Sequence, residues 1–239
     1  MTAVILAGGL GTRVQHLLPG VPKPMAPVAG RPFLEWVVRY LAKQGVGRTV
    51  ISTGYLTGVV ERHFQNQPVP GVNIQCISEP EPLGTAGGFL HVVKSAGAPP
   101  PAWLVLNGDS LVFANLKLAV APFADSAVSG AILGRTVPDA SRYGALAMGP
   151  SGELLRFEEK RPGAGVINTG IYLLRHSLLA GFPAQSPLSF ERDVFPALIG
   201  RGFRLQTVVT DAPFLDIGTP ESLPQAESFI RENTGQFQV

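Results

Sequence analysis

The stretch Ala3-Val4-Ile5-Leu6-Ala7-Gly8-Gly9-Leu10-Gly11-Thr12-Arg13, followed at a short distance by Pro22-Lys23-Pro24, decides the fold. Its first five residues are an apolar run of strand length that stops at two glycines. The loop beyond carries a third glycine, a hydroxyl and an arginine, and then a lysine. Glycines let a backbone approach a ligand closely. Successive main-chain N–H groups in such a loop form a concavity suited to phosphate oxygens. Arg13 offers a planar fork of donors and Lys23 a compact mobile charge. A tight strand-to-helix turn with surface charges is the plainer reading, and the two cations favour the phosphate site over it.

Two familiar glycine loops do not fit. Counted from Gly9, the pattern Gly-x-Gly-x-x-Gly fails at Val14, and no Gly-Lys-Ser/Thr follows for a P-loop. The stretch resembles instead the sugar-nucleotide pyrophosphorylases, nucleotidyltransferases that join a nucleoside triphosphate to a sugar 1-phosphate. Their opening signature is approximately L-A-G-G-x-G-T-R and then x-x-P-K-P, matched by Leu6, Ala7, Gly8, Gly9, Gly11, Thr12, Arg13 and Lys23. The resemblance implies that the glycines and Thr12 surround base and phosphates. It also implies that Arg13 and Lys23 stabilise the triphosphate and the leaving pyrophosphate.

Outward from this loop, helix and strand signals alternate. Residues 33–44 place Leu34, Val37, Val38 and Leu41 on one helical face, with Gly45 to end the helix. Strands are expected at 49–53, 73–78 and 103–106, and helices at 56–64 and 85–94. Such alternation implies crossover units and a mainly parallel sheet covered on both faces. Ligands on these sheets sit beyond the carboxyl ends of the strands. Gly8-Gly9 and Asn107-Gly108-Asp109 both follow strands, so they belong on one rim. The second half is richer in strands, expected at 128–133, 145–148, 153–157, 167–174 and 203–209. Ser189 is expected to cap a helix through 199, and Thr219-Pro220-Glu221 to start another. The whole is read as a single α/β domain over 1–239, a Rossmann-like three-layer α/β/α fold with a mixed, mainly parallel sheet. Its nucleotide half runs to about 126 and its sugar-phosphate half from about 127 to 239.

The totals agree with a compact protein. Of 239 residues, 45% are hydrophobic and 15% charged, enough for a sizeable core and unlike a disordered chain. A net charge of +2 gives no electrostatic case for nucleic acid. No apolar run approaches the length that spans a bilayer, and residues 3–7 are too short for a signal peptide. Cys76 is alone, which excludes an internal disulfide and suits a reducing cytoplasmic setting.

Further motifs carry chemistry. Asn107-Gly108-Asp109 closes a buried-looking strand, and Asp216 follows a second short apolar stretch. Two carboxylates with phosphate oxygens are a ligand set that Mg²⁺ prefers. In the family the second Asp lies in W/F-x-D-x-G-T-P, matched here from Leu215 to Pro220, so the resemblance makes Asp109 and Asp216 the metal ligands. The segment Glu81-Pro82-Leu83-Gly84-Thr85-Ala86-Gly87 is similar to the family's base-contacting loop, which carries over to Leu83, Gly84, Thr85 and Gly87. Glu159 and Lys160 match an E-K-P element whose Glu binds sugar hydroxyls and whose Lys binds the sugar phosphate, with Arg161 standing before Pro162. Asn168 and Gly170 resemble the sugar-facing N-x-G, and Tyr143-Gly144 the backbone contact to the sugar. The segment from Lys23 through Glu35, with the short chain, looks most like the D-glycero-D-manno-heptose 1-phosphate guanylyltransferases. The substrates so implied are GTP and that heptose phosphate, with Mg²⁺ as cofactor and a homodimer as the family's assembly. Mannose, glucose or N-acetylmuramic acid 1-phosphates with GTP, UTP or dTTP are the alternatives. Two other classes stay open: an NAD-dependent oxidoreductase with Glu35 as its acidic residue, and a non-catalytic nucleotide sensor. Lys23 argues against the first, and the retained Arg13, Lys23, Asp109 and Asp216 against the second.

Overall fold

The structure is a computed structural model and describes residues 1–158 and 162–237. Strand β1 (Thr2–Ala7) is buried almost throughout. A short ribbon, β2 (Pro27–Val28) with β3 (Arg31–Pro32), leads into α1 (Phe33–Lys43). Leu34, Val37, Val38 and Leu41 of α1 are fully buried, as their spacing requires. Gly45, at φ +82°, takes the left-handed turn just past the helix end. Then follow β4 (Arg48–Thr53), α2 (Thr57–Asn66), β5 (Asn73–Ser78), α3 (Thr85–Ser95) and β6 (Ala102–Asn107).

The second half adds β8 (Val128–Val137), β9 (Ala145–Met148), β10 (Leu154–Glu158), β11 (Gly165–Arg175) and β12 (Arg204–Thr210). The sheet runs β10-β9-β11-β6-β1-β4-β5, and β8, paired with β11 and β12, completes nine strands among the described residues. It is parallel through β6, β1, β4 and β5, and again between β8 and β12. Antiparallel pairing enters where β11 meets β6, β8 and β9, and where β9 meets β10. After α2 the chain has built outward from β1 to β5. Helix α3 then carries it back, and β6 pairs on the other side of β1. The strand order therefore reverses between β1 and β6, where open sheets leave a ligand crevice.

Alternate residues of each central strand feed two cores. Ala3, Ile5, Leu104, Leu106, Ile171 and Leu173 face α1, α2 and α6 (Ala226–Glu232). Val4, Trp103, Val105, Tyr172 and Leu174 face α3 and α5 (Phe195–Gly200). The three layers follow from this two-sided burial. Phe89 of α3 is wholly buried against Trp103 and Phe190, and its removal would cost about 3–5 kcal/mol.

Three features depart from or refine the sequence expectations. Thr219 does open a helical segment: its hydroxyl accepts from the Ser222 N–H and the Ser222 hydroxyl from the Thr219 N–H, both at 3.2 Å, the reciprocal pattern of a capping box. The segment begins as a 3-10 turn (Leu223–Gln225), and regular α-helix, α6, follows from Ala226. Ser189 does cap a helix, accepting from the Arg192 N–H, but its first turn is a π-helix (Phe190–Val194) before α5. A ribbon not read from the sequence pairs β7 (Ser110–Val112) with β13 (Phe214–Asp216), antiparallel. A short helix, α4 (Leu116–Val120), completes the described elements named here.

Candidate active site

A cavity of about 470 Å³ opens at the reversal point between β1 and β6. Leu6, Ala7, Gly8, Gly9, Gly11, Thr12, Lys23, Gly84, Thr85, Asn107 and Asp109 all line it. Gly11 holds φ +60°, and a Cβ there would stand 2.8 Å from the Lys23 Cβ, so the loop can fold over Lys23 only without a side chain. Four expected members do not line the cavity. Gly108 packs on β1, its N–H bonded to the Leu6 carbonyl at 2.9 Å. Leu83 and Gly87 turn to Leu188 of the second half. Arg13 is exposed and lies beside Gly218.

Glu79 lines the same cavity and was not singled out by the sequence. It follows β5 directly, and its N–H bonds the Thr53 carbonyl at 2.7 Å. Ser52 Oγ donates to Oε1 at 2.9 Å and the Leu83 N–H to Oε2 at 3.3 Å. A carboxylate just past a parallel strand was the signal available, one residue on for Glu79 and two for Asp109.

The catalytic candidates meet on this rim. Lys23 Nζ pairs with Asp109 Oδ2, both groups largely shielded from water at 14% and 25% exposure. Asp216 faces Ser110 across the β7–β13 ribbon, which seats it beside Asp109. Burial acts to raise the Asp109 carboxyl, but the Lys23 ammonium and the Ser110 hydroxyl outweigh it and hold the group below the usual carboxylate range. Asp216 goes the other way. Burial first, and the Asp109 charge second, push it up against the opposing Gly218 N–H, Lys23 and Arg13. The Gly218 N–H bonds Asp216 Oδ1 at 2.6 Å. Among the described residues no third metal-ligand side chain joins the two aspartates.

A second cavity, of about 390 Å³, lies in the second half of the chain and is lined by Tyr143, Gly144, Phe157, Glu158, Asn168, Glu191 and Arg192. The Asn168 N–H bonds the Gly144 carbonyl at 3.1 Å, which brings three of the expected residues together. Gly170 presses on the Asn107 amide at the boundary of the two halves. Glu159 and Lys160 lie outside the described residues. Glu191 and Arg192 were missed, because only tertiary folding brings the α5 approach to Asn168.

Glu35, the acidic residue of the oxidoreductase alternative, is buried at 1% exposure between α1 and α2. Arg31, Arg39 and His63 bind its oxygens at 2.6, 2.8 and 2.8 Å, leaving nothing for a ribose. The rim can instead take polyphosphate at the glycine loop, a metal ion at the paired aspartates and a second anionic substrate from the adjoining cavity.

The chain has well-matched relatives among known proteins. The chain is 34% identical over 222 residues to the D-glycero-alpha-D-manno-heptose 1-phosphate guanylyltransferase of Campylobacter jejuni, covering 92% of this chain and 96% of that one. It is 30% identical over 232 residues to the enzyme of the same name from Aneurinibacillus thermoaerophilus, covering 97% and 99%. The crystal structure of HddC from Yersinia pseudotuberculosis complexed with GMP-PN superposes with a TM-score of 0.81 at 34% identity, over 95% of this chain and 98% of that one. The match to the nucleotidyl transferase family spans residues 2–233, from β1 through α6, and the chain belongs to that family.

Proposed function

We propose that the protein joins a nucleoside triphosphate to a sugar 1-phosphate, releasing pyrophosphate, with GTP and D-glycero-D-manno-heptose 1-phosphate as substrates. The observation that carries the reading is the Asp109–Asp216 pair, set with Lys23 and Arg13 on the rim between the two cavities. The glycine loop cradles the triphosphate with its N–H groups, and Lys23 and Arg13 bind phosphate oxygens. A sugar-phosphate oxygen, already anionic, bonds to the α-phosphorus without a general base. The bond to the bridging oxygen breaks, and that oxygen leaves on pyrophosphate. The chain's own contribution is in-line positioning and neutralisation of charge.

Mg²⁺ fits the donor set, since it binds through one or two carboxylates and shares the rest of its shell with phosphates and water. Asp109 and Asp216 would hold it, and when bound it supplies charge neutralisation at the phosphates. Glu79 supports guanine as the base. A carboxylate only accepts hydrogen bonds, and guanine offers adjacent N1–H and N2–H donors on one edge. The lone Cys76 supports a reducing, cytoplasmic setting.

The test is pyrophosphate release with each NTP, Mg²⁺ and a panel of heptose and hexose 1-phosphates. GTP with the heptose phosphate should give the highest kcat/KM. A hexose phosphate or another NTP in first place would replace the named substrates, and no release from any pair would overturn the reading.

A further inference from the structure

The two cavities are joined by a chain of hydrogen bonds through the interior. Tyr172, on β11, is wholly buried and lines neither cavity. Its hydroxyl accepts from Asn168 Nδ2 at 2.8 Å and donates to Glu191 Oε1 at 2.7 Å. The Asn168 Oδ1 accepts from the Gly170 N–H at 2.9 Å, so both ends of that amide are fixed. Glu191 Oε2 accepts from Ser189 Oγ at 3.0 Å and from Thr85 Oγ1 at 3.5 Å. Thr85 Oγ1 in turn accepts from the Phe190 N–H at 3.0 Å. The main chain reinforces the contact: Leu188 O receives the Ala86 and Gly87 N–H groups at 2.9 and 3.1 Å, and the Leu188 N–H donates to Leu83 O at 2.8 Å. Gly84, at φ +78°, has no room for a Cβ, which would stand 2.5 Å from Leu188 O.

We propose that Tyr172 and Glu191 are positioning residues: a buried relay that fixes the Asn168 amide in the sugar cavity to the nucleotide loop at Thr85. The inference rests on the reading of the second cavity as the sugar site. Asn168 could turn its amide in several ways in an open pocket. The Tyr172 hydroxyl and the Gly170 N–H leave it one, with a remaining N–H and a remaining lone pair for sugar hydroxyls. Burial and the adjoining Glu191 charge keep the Tyr172 hydroxyl protonated far above neutral pH, so the donor to Glu191 is permanent. Buried polar networks of this kind orient groups strongly when every member is satisfied.

The experiment measures KM for the sugar 1-phosphate and for the NTP separately, with Tm, in Tyr172→Phe, Glu191→Gln and Glu191→Leu. Tyr172→Phe removes one hydroxyl without touching either cavity. It should raise the sugar 1-phosphate KM about fivefold or more, consistent with loss of an orienting hydrogen bond, and leave the NTP KM unchanged. Glu191→Gln keeps one oxygen acceptor for Tyr172 and should raise the sugar 1-phosphate KM less than Glu191→Leu does. Glu191→Leu should raise both KM values, and adding Tyr172→Phe to it should change the sugar KM little further. A folded Tyr172→Phe enzyme with an unchanged sugar KM, or with both KM values raised alike, would overturn the relay. If Tyr172→Phe does not fold, equal sugar KM values in Glu191→Gln and Glu191→Leu would overturn it. A parent enzyme that turns over no sugar 1-phosphate would instead remove the reading of the pocket, and the relay with it.

Discussion

The Ile217 N–H donates to the Asp109 carbonyl oxygen at 2.9 Å, and this main-chain bond continues the pairing of β7 with β13. It is why an aspartate from the middle of the chain and one from near its end share one rim. Their side chains do not attract each other, so the backbone must hold them together.

The pair should therefore act as a unit. Asp109→Asn and Asp216→Asn should each lower turnover by at least about a hundredfold, and the double variant should be little worse than either. The effect of Asp216 on stability has the opposite sign. Its carboxyl is raised in the fold, so the stability it brings is present in acid and lost as pH rises through that raised pKa. Asp216→Asn should then match or exceed the parent Tm at neutral pH, with the gain vanishing in acid. Calorimetry across pH reads this directly, and a Tm well below the parent's at neutral pH would contradict it.

Lys23 is the counter-charge of that arrangement. Lys23→Met should cost about 1–3 kcal/mol at neutral pH, since Asp109 keeps its neighbour Asp216 and loses its partner. Asp109 is held low, so its contribution is present above the usual carboxylate range and lost as pH falls through the lowered value. Without Lys23, burial and the Asp216 charge act on Asp109 against little more than the Ser110 hydroxyl, so the deficit relative to the parent should narrow as pH falls. Adding Asp109→Asn should recover part of the stability, which urea unfolding would measure.

Arg13, exposed beside Gly218, is free of the Asp109 pair and available to phosphate. Arg13→Ala should lower turnover by about tenfold or more, since charge-assisted contacts contribute about 1.5–3 kcal/mol. A folded variant with the parent's steady-state rate would exclude the role.

Glu79 tests the choice of base. Glu79→Gln replaces an all-acceptor group with one that also donates. The ratio of kcat/KM for GTP over UTP should fall by about tenfold, as expected for one hydrogen bond exchanged for a mismatch. Competition between the two nucleotides is the measurement.

Lys160→Ala should weaken every sugar 1-phosphate alike, by about tenfold in KM, and spare the NTP. Loss of NTP binding with sugar-phosphate affinity intact would reverse the assignment of the two halves.

What the sequence made legible was periodic or punctuated. The alternation of strands and helices gave the nucleotide half, because α1 buries Leu34, Val37, Val38 and Leu41 as their spacing demands. The glycine loop and Asn107-Gly108-Asp109 were each readable from a strand that stops at glycine. What stayed hidden depends on long-range pairing. Nothing local in Phe214-Leu215-Asp216 marks it as the partner of Ser110-Leu111-Val112, and three-residue strands carry almost no period. Thr219-Pro220-Glu221 was readable as a helix start, but not the 3-10 turn Leu223–Gln225 that precedes regular α-helix there. Nothing in the sequence singles out Glu191, and only the fold brings it to the Tyr172 hydroxyl.

The docking of Leu188 on residues 83–87 has a consequence for the order in which the protein becomes competent. During synthesis the first half emerges with its strands β1, β4, β5 and β6 available, but β6 has an unpaired edge until β11 arrives. Residues 83–87 still lack the backbone they lean on, and Asp216 has yet to be made. A nucleotide that binds only the finished rim stabilises the finished chain and no earlier stage of it. Such a ligand would act as a latch on the last third of the polypeptide.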